Sequence, residues 1–416
     1  MAELQRIVSV LPEGEMNHNV LRNAIDLLAA EIESRGIEHV TLDGDSDGFQ
    51  RDLLRYAAEP GCGIYLGHRF YDLRLIHSKT EGFARCNLFE ALDRPVFAVI
   101  QDHPFSVFSW SRIEQASRAT HFLCPSPEFE EEARFINPAL GHFHKAAAMR
   151  TEAPPVNSRI KPLKQRPLDV FMSCSFYTVR PGLAELRRRF SKYKSPMAKV
   201  IDEVYQTALP DRDASVMRLF LEVYREHFGE TLSISSPMQR ADTEKIEVLS
   251  CIDNRIRFDR RVKVLRSLAA LYLPLKVSGT LGPIDREKIK EVQRNPRVEV
   301  IGRVDDARAR ELFLSAKFAI NVMPTYLAFV TERVVNAMVM GCCVISDSNS
   351  HLAQTFEDGR EILFLDDCSA EGLADYFDAE SDKAQAIAER GRAKAREDFS
   401  AQHYADDLIG AMREAL

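Results

Sequence analysis

Residues 318–346 read FAINVMPTYLAFVTERVVNAMVMGCCVIS, and the fold turns on how they are divided. FAINVMP is a short apolar run ending in a proline, and CCVIS is a second such run. Between them Val334, Val335 and Met338 recur at helical spacing, Thr331 stands where a cap belongs, and Gly341 suits the left-handed position that ends a helix. A strand, a helix and a strand with short joints form a crossover unit, the connection that parallel strands require.

One acidic residue opens that helix. A carboxylate in the first turn is favoured by the helix dipole alone, by about 0.3–1 kcal/mol, so Glu332 has an ordinary structural reading. It also has a functional one. In open α/β sheets the loops at the carboxyl ends of the strands face the ligand, and there a carboxylate can accept two hydrogen bonds from a vicinal diol such as a nucleotide ribose.

The same alternation runs upstream through RIVSVLP, HNVLRNAIDLLAAEIESRG, EHVTLDG, FQRDLLRYAAE, CGIYLG, PVFAVIQDHPF and THFLCPS, with Gly36 ending the first helix. These segments predict a parallel sheet within a first domain, residues 1–155. TEAPPVNSRIKPLKQRP has almost no apolar periodicity and places a linker at residues 156–167. LDVFMSCSF opens a second domain, 168–395, whose residues 182–250 hold helical patterns such as SVMRLFLEVYREHFG and read as a helical insertion. Alternation resumes with RRVKVLRSLAAL, LPLKVSG, REKIKEVQRN, VEVIG and DARARELFLSA, and EILFL follows the opening stretch. Residues 396–416 read as a C-terminal helix packed by one face. The sum is α/β, two Rossmann-like doubly wound domains facing a cleft.

Composition narrows the function. A length of 416 residues exceeds one ordinary core. The net charge of -7, from 55 basic and 62 acidic residues mixed along the chain, gives no global positive field for a nucleic-acid backbone. Eight cysteines without a CxxC spacing fit a reduced, cytoplasmic setting. No apolar run of about 18 residues would span a bilayer, and MAELQRIVSVLPEGE lacks the pattern of a secretory signal; a peripheral membrane contact stays open. No GxGxxG follows a strand, which disfavours a dinucleotide-dependent oxidoreductase. His142 and His144 have a metal-like spacing in GHFHKAAAM, but no further ligand accompanies them in the sequence, so no metal site is expected.

The segment IGRVDDARARELFLSAKFAINVMPTYLAFVTERVVNAMVMGCCVISDSNSHLAQTFEDGREILFL resembles the donor-binding half of GT-B glycosyltransferases. It is most similar to family 4 and to the group related to spore-coat maturation glycosyltransferases. In those enzymes a glutamate opening this helix binds the ribose of a nucleotide-sugar donor, so the resemblance gives that role to Glu332, with Thr331 beside it. PLDVFMSCSFYTVRPG resembles the first loop of the donor lobe, where small residues admit a diphosphate and a basic side chain neutralises it; Ser173, Ser175 and Arg180 match. Gly279, in KVSGTLG, is placed to admit a phosphate or to end a strand. Gly302, Arg303 and Val304, in VEVIGRVDD, match the segment that receives the nucleotide base through the backbone. Family 4 members usually carry another glutamate eight residues earlier. Here that place is Pro324, so neither contact with the donor sugar nor the stereochemical outcome carries over.

On the acceptor side, Asp102 and His103 end PVFAVIQDHPF, and an imidazole with a carboxylate nearby can take a proton from an acceptor hydroxyl near neutral pH. The resemblance also places a histidine near this strand end. His68, after CGIYLG, is a second acceptor-side candidate. The expected activity is transfer of a sugar from a nucleotide-diphosphate sugar, bound as co-substrate, to a hydroxyl of a glycan, lipid or protein, with no permanently bound cofactor and no required metal. The same architecture serves sugar epimerases and non-catalytic glycan- or nucleotide-binding scaffolds.

Overall fold

The computed structural model describes residues 3–11, 20–67, 74–75, 86–100, 102–106, 109–146, 160–176, 182–232, 240–280, 282, 286–365, 374, 376–377 and 382–416. The chain divides into two compact units. One comprises Met1–Thr151, Ser233–Ile246 and Ser400–Leu416, and the other Glu152–Leu232 and Glu247–Phe399.

In the first unit the apolar runs become β1 (Arg6–Leu11), β2 (Glu38–Asp43), β3 (Cys62–Tyr65), β6 (Val96–Val99) and β7 (Thr120–Cys124). Between them lie α1 (Val20–Ser34), α2 (Phe49–Ala58), the short pair β4 (Arg74–Leu75) and β5 (Cys86–Asn87), α3 (Leu88–Ala91) and α4 (Trp110–Glu114). After α5 (Pro127–Ile136) comes β8 (His142–Lys145), an edge strand whose polar sequence, HFHK, gave no apolar signal. The sheet order is β2-β1-β3-β6-β7-β8, parallel throughout. Ile7, Tyr65, Phe97 and Leu123 pack with Leu28 and Ile32 of α1 and with Tyr404, Leu408 and Met412 of the last helix, Ala401–Ala415. Val8, Val10 and Ile64 pack with Phe49, Leu53 and Ala57 of α2.

In the second unit the six strands are β9 (Leu168–Ser173), β10 (Leu275–Ser278), β11 (Val298–Gly302), β12 (Ala316–Asn321), β13 (Cys343–Ser346) and β14 (Leu363–Phe364). Their order is β11-β10-β9-β12-β13-β14, again all parallel. Between β9 and β10 stand the helices of the insertion, α6 (Leu183–Lys192), α7 (Met197–Ala208), α8 (Val216–Phe228) and α9 (Arg240–Ala270). The expected end of the insertion at residue 250 falls inside α9, because residues 240–270 contain neither glycine nor proline and nothing interrupts the helix. The remaining crossovers use α10 (Arg286–Gln293), α11 (Asp306–Ser315), α12 (Glu332–Val339) and α13 (Ser350–Thr355). The tail forms two helices, Asp382–Asp398 and Ala401–Ala415.

The opening stretch folds as its pattern implies. Val334, Val335 and Met338 are buried, and Gly341 has φ 75°. Buried Arg166 donates to the carbonyls of Phe313, Ala316 and Met340 at 3.2, 2.7 and 3.1 Å, satisfying the carboxyl ends of α11 and α12. A side chain at Gly341 would press on that guanidinium at 2.8 Å. Cys62, Cys124, Cys174, Cys251, Cys342 and Cys343 are buried and free. Among the described residues no helix is long and apolar enough to cross a membrane.

Candidate functional site

In the second sheet the strand order reverses between β9 and β12. Crossovers leave those two strands in opposite directions, and open α/β sheets take ligands beyond the carboxyl ends at such a point. Parallel strands bring most of the expected donor residues to this one edge. Ser173 ends β9 and Ser175 follows it, Gly279 follows β10, Gly302 ends β11 with Arg303 and Val304 next, and Thr331 and Glu332 open α12 beyond β12.

Backbone hydrogen bonds join the first three strand ends. Cys174 N donates to Ser278 O at 2.9 Å, and Gly279 N donates to Gly302 O at 2.8 Å. Thr280 N donates to Ser175 Oγ at 3.3 Å. Gly279 has φ 149°, and a Cβ there would lie 1.9 Å from the Cys174 carbonyl oxygen, so only glycine allows the approach. Gly302, at φ 72°, has open space where its Cβ would be. Arg303 is exposed, while Val304 packs against the α11–α12 core.

Thr331 holds the cap position of α12, but its hydroxyl does not cap the helix. It donates instead to Asn321 Oδ1 at 3.2 Å, and Asn321 Nδ2 donates to Ser346 Oγ at 2.8 Å. A buried polar chain thus ties the start of α12 to the ends of β12 and β13. Glu332 is exposed in the first turn. The loop before it is braced from several sides: Met323 N donates to Asp347 Oδ1 at 2.5 Å, Thr325 Oγ1 to Asp253, and Asn349 Nδ2 to the carbonyls of Tyr326 and Leu327 at 2.7 and 3.2 Å. Burial pushes the Asp347 carboxyl above its ordinary value, and Arg212 at 3.0 Å opposes the shift. Pro324 is buried in this loop.

Three arginines that sequence reasoning did not assign gather at the same edge. Arg261, on α9, donates from Nη1 to Ser175 O at 2.8 Å. Burial first, and then the positive charges of Arg333 and Arg257, push it down to about 10. Its Nε is buried without a hydrogen-bond partner. Arg257 stands one turn earlier and pairs with Asp253. Arg333, beside Glu332, has Nε 3.4 Å from Asn321 Oδ1. The available signals were the i,i+4 spacing of Arg257 and Arg261 on one helix face and the arginine within the Glu332-Arg333 pair itself. Arg180 and His68 lie outside the described residues.

In the first unit Asp102 is exposed beyond β6, and His103 is only 3% exposed. His103 Nδ1 accepts from Phe105 N at 3.3 Å, and Nε2 lies 3.5 Å from buried Glu132. A general base needs a ring nitrogen turned toward the acceptor, whereas both nitrogens of His103 face groups of their own unit. His142 and His144 do acquire a third imidazole. His121 Nδ1 lies 2.9 Å from His144 Nε2, and the His121 and His142 rings stack at 4.2 Å with 5° between their planes. Stacked rings hold their in-plane lone pairs in parallel planes, so these do not converge on one ion. Among the described residues no group of three or more His, Cys, Asp or Glu is arranged to hold a metal.

Residues 260–410 match the family model described as glycosyl transferase-like. Comparison with curated proteins gives no sequence match. Among solved structures, T4 phage BGT in complex with UDP and Mn2+ aligns with TM-score 0.53 at 9% identity, over 98% of this chain and 99% of that one. Sucrose-phosphate synthase from Thermosynechococcus elongatus aligns with TM-score 0.51 at 11% identity, over 99% and 98%. AviGT4, a glycosyltransferase involved in avilamycin A biosynthesis, aligns with TM-score 0.50 at 10% identity, over 99% and 98%. At such identities the likeness is one of fold. The chain has the GT-B fold, two Rossmann-like doubly wound units with a helical insertion in the second, and its residues 260–410 are similar to a glycosyl transferase-like domain.

Proposed function

We propose that this protein transfers a sugar from a nucleotide-diphosphate sugar to an acceptor hydroxyl. The observation that carries this reading is the strand-order reversal of the second sheet, where exposed Glu332 opens α12 beside Arg333, whose positive charge acts together with that of Arg257 on Arg261. A nucleotide-diphosphate sugar presents a vicinal diol and a diphosphate a few bonds apart. Glu332 accepts the two ribose hydroxyls, and the guanidiniums take the phosphates. Ser173, Ser175 and Gly279 let the backbone come close to the diphosphate, with Arg180 carried from the sequence as a further phosphate ligand. Gly302, Arg303 and Val304 receive the base, and Thr331 fixes the helix start.

As the bond from the anomeric carbon to the β-phosphate oxygen breaks, negative charge grows on the leaving diphosphate. The fixed arginines stabilise that charge more than the bound ground state. Asp102, which is exposed, is the better candidate to take the acceptor proton, and its chain neighbour His103 is held 3.5 Å from Glu132. His68 remains an acceptor-side candidate. The scheme routes no step through a metal, and turnover in the presence of a chelator tests that point directly.

The UDP named with the T4 phage structure makes UDP the first ligand to try. Calorimetric titration of UDP, GDP, ADP and CMP into the wild type is expected to show one preferred nucleotide. In Glu332→Ala, loss of hydrogen bonds to a charged group, about 1.5–3 kcal/mol, is expected to weaken that affinity at least tenfold, while stability falls only by the helix-dipole contribution of about 0.3–1 kcal/mol. Unchanged affinity in the variant would remove Glu332 from the site. No binding of any nucleotide overturns the reading.

A further inference from the structure

From Leu186 to Ile201 the chain holds six basic residues and no acidic one, in a protein whose net charge is -7. They are Arg187, Arg188, Arg189, Lys192, Lys194 and Lys199, and all six are exposed. α6 buries Leu186 and Phe190, α7 buries Met197, Val200 and Ile201, and the basic residues occupy what remains.

The turn between the two helices carries Tyr193 at 73% exposure, the most exposed of the large hydrophobic residues described. Lys192 Nζ lies 5.9 Å from the centre of its ring, and Lys194 follows at φ 52°. Some of the charge is answered locally: Arg187 pairs with Asp202 at 2.9 Å, and Arg189 shares its surroundings with Glu185 and Glu247. Arg188 makes a 3.4 Å contact to a carbonyl of its own helix. For Arg188, Lys192, Lys194 and Lys199 no carboxylate partner stands among the described residues. Among the described residues the patch therefore carries an excess of positive charge around an exposed phenol.

We propose that this α6–α7 turn is a docking surface for an anionic lipid bilayer. An anionic leaflet attracts basic side chains only within about a Debye length, roughly 8–10 Å, so a local patch acts even though the whole chain is acidic. Tyrosine belongs at the headgroup level, its ring in the apolar boundary and its hydroxyl in water. A nucleic acid fits less well, because base stacking uses a series of aromatic residues along a basic groove, whereas here one aromatic residue tips a projecting turn. The inference does not depend on the donor site.

The test is co-sedimentation of the full chain with vesicles of phosphatidylcholine alone and of phosphatidylcholine mixed with phosphatidylglycerol. Binding is expected only to the mixed vesicles and is expected to fall as salt rises. Each basic residue near an anionic surface strengthens association about fivefold, so Lys192→Glu with Lys194→Glu is expected to weaken it by more than about twentyfold. Both sites are exposed, so the melting temperature of the variant should match the wild type. Tyr193→Ser is expected to weaken binding less than the charge reversal. Absence of binding to the mixed vesicles, equal binding to both vesicle types, or a charge-reversed chain that binds like the wild type overturns the proposal. So does tighter capture by RNA or by polyglutamate than by the mixed vesicles at the same salt.

Discussion

At the scale of single residues, two glycines expected near the donor serve the fold in different ways. Gly279 combines φ 149° with a Cβ position 1.9 Å from the Cys174 carbonyl oxygen. Gly302 has φ 72° and nothing within contact distance of its Cβ position. Alanine at Gly302 therefore meets only the left-handed backbone penalty, about 1–2 kcal/mol. Alanine at Gly279 meets the backbone as well, and either β9 or β10 must move. Gly279→Ala is expected to lose about 3 kcal/mol or more, read as a lower urea midpoint at unchanged slope, against the smaller loss in Gly302→Ala. Equal losses would mean that the ends of β9 and β10 are not held this closely. The expectation that Gly279 admits a phosphate or ends a strand thus has a cause on the strand side that needs no ligand.

At the scale of elements, β7, β8 and the last helix carry a cluster with a defined pH response. Burial first, and then His142 and His144, push His121 from 6.5 down to about 4. His144 is also lowered by burial, which Glu414 at 3.8 Å opposes. Between about pH 6.5 and 4 the unfolded chain binds a proton at His121 that the folded chain refuses. Stability from this group is complete above 6.5 and is lost as pH falls toward 4. Allowing for partial exposure, the loss is about 2 kcal/mol. Urea unfolding across this range should show it, and His121→Phe should flatten the acid limb; an unchanged slope would place the protonation elsewhere. These elements also mark how far the sequence could be read. β9, β12, α12 and β13 announce themselves because apolar periodicity is the direct imprint of a buried face. β8 does not, since an edge strand of HFHK buries too little to leave that imprint. The continuity of α9 was hidden because its two halves were read apart. Arg261 and Arg333 went unassigned because charge at a site is visible only once α9 and α12 are laid beside β9. For His103 the sequence shows only a histidine after a strand, and its burial between Phe105 and Phe129 is a tertiary fact.

At the scale of the whole molecule, the last helix belongs to the first unit, several hundred residues earlier in the chain. Tyr404, Leu408, Ile409 and Met412 are buried against α1 and the first sheet, and the Tyr404 and Tyr65 hydroxyls meet at 2.8 Å. Gly63 is part of the same fit, since a Cβ there would strike Met412 Sδ at 2.5 Å. Burying one large apolar side chain contributes about 1.5–3 kcal/mol, so these four contribute about 6–12 kcal/mol. That is comparable to the entire stability of an ordinary domain, about 5–15 kcal/mol. A chain ending at residue 399 is therefore expected to lose the first unit while the second unit, with both faces of its sheet still covered by its own helices, keeps a cooperative melting transition. Calorimetry should show one transition lost and one kept, and limited proteolysis should cut residues 20–146 far faster than residues 247–365. A synthetic peptide of residues 400–416 is expected to restore protection of the first unit at sufficient concentration, because the missing interface is supplied without the covalent link. If the shortened chain melts like the full one, the surface under the last helix is not a core. If both units unfold together, the second unit depends on the first for more than its own packing implies.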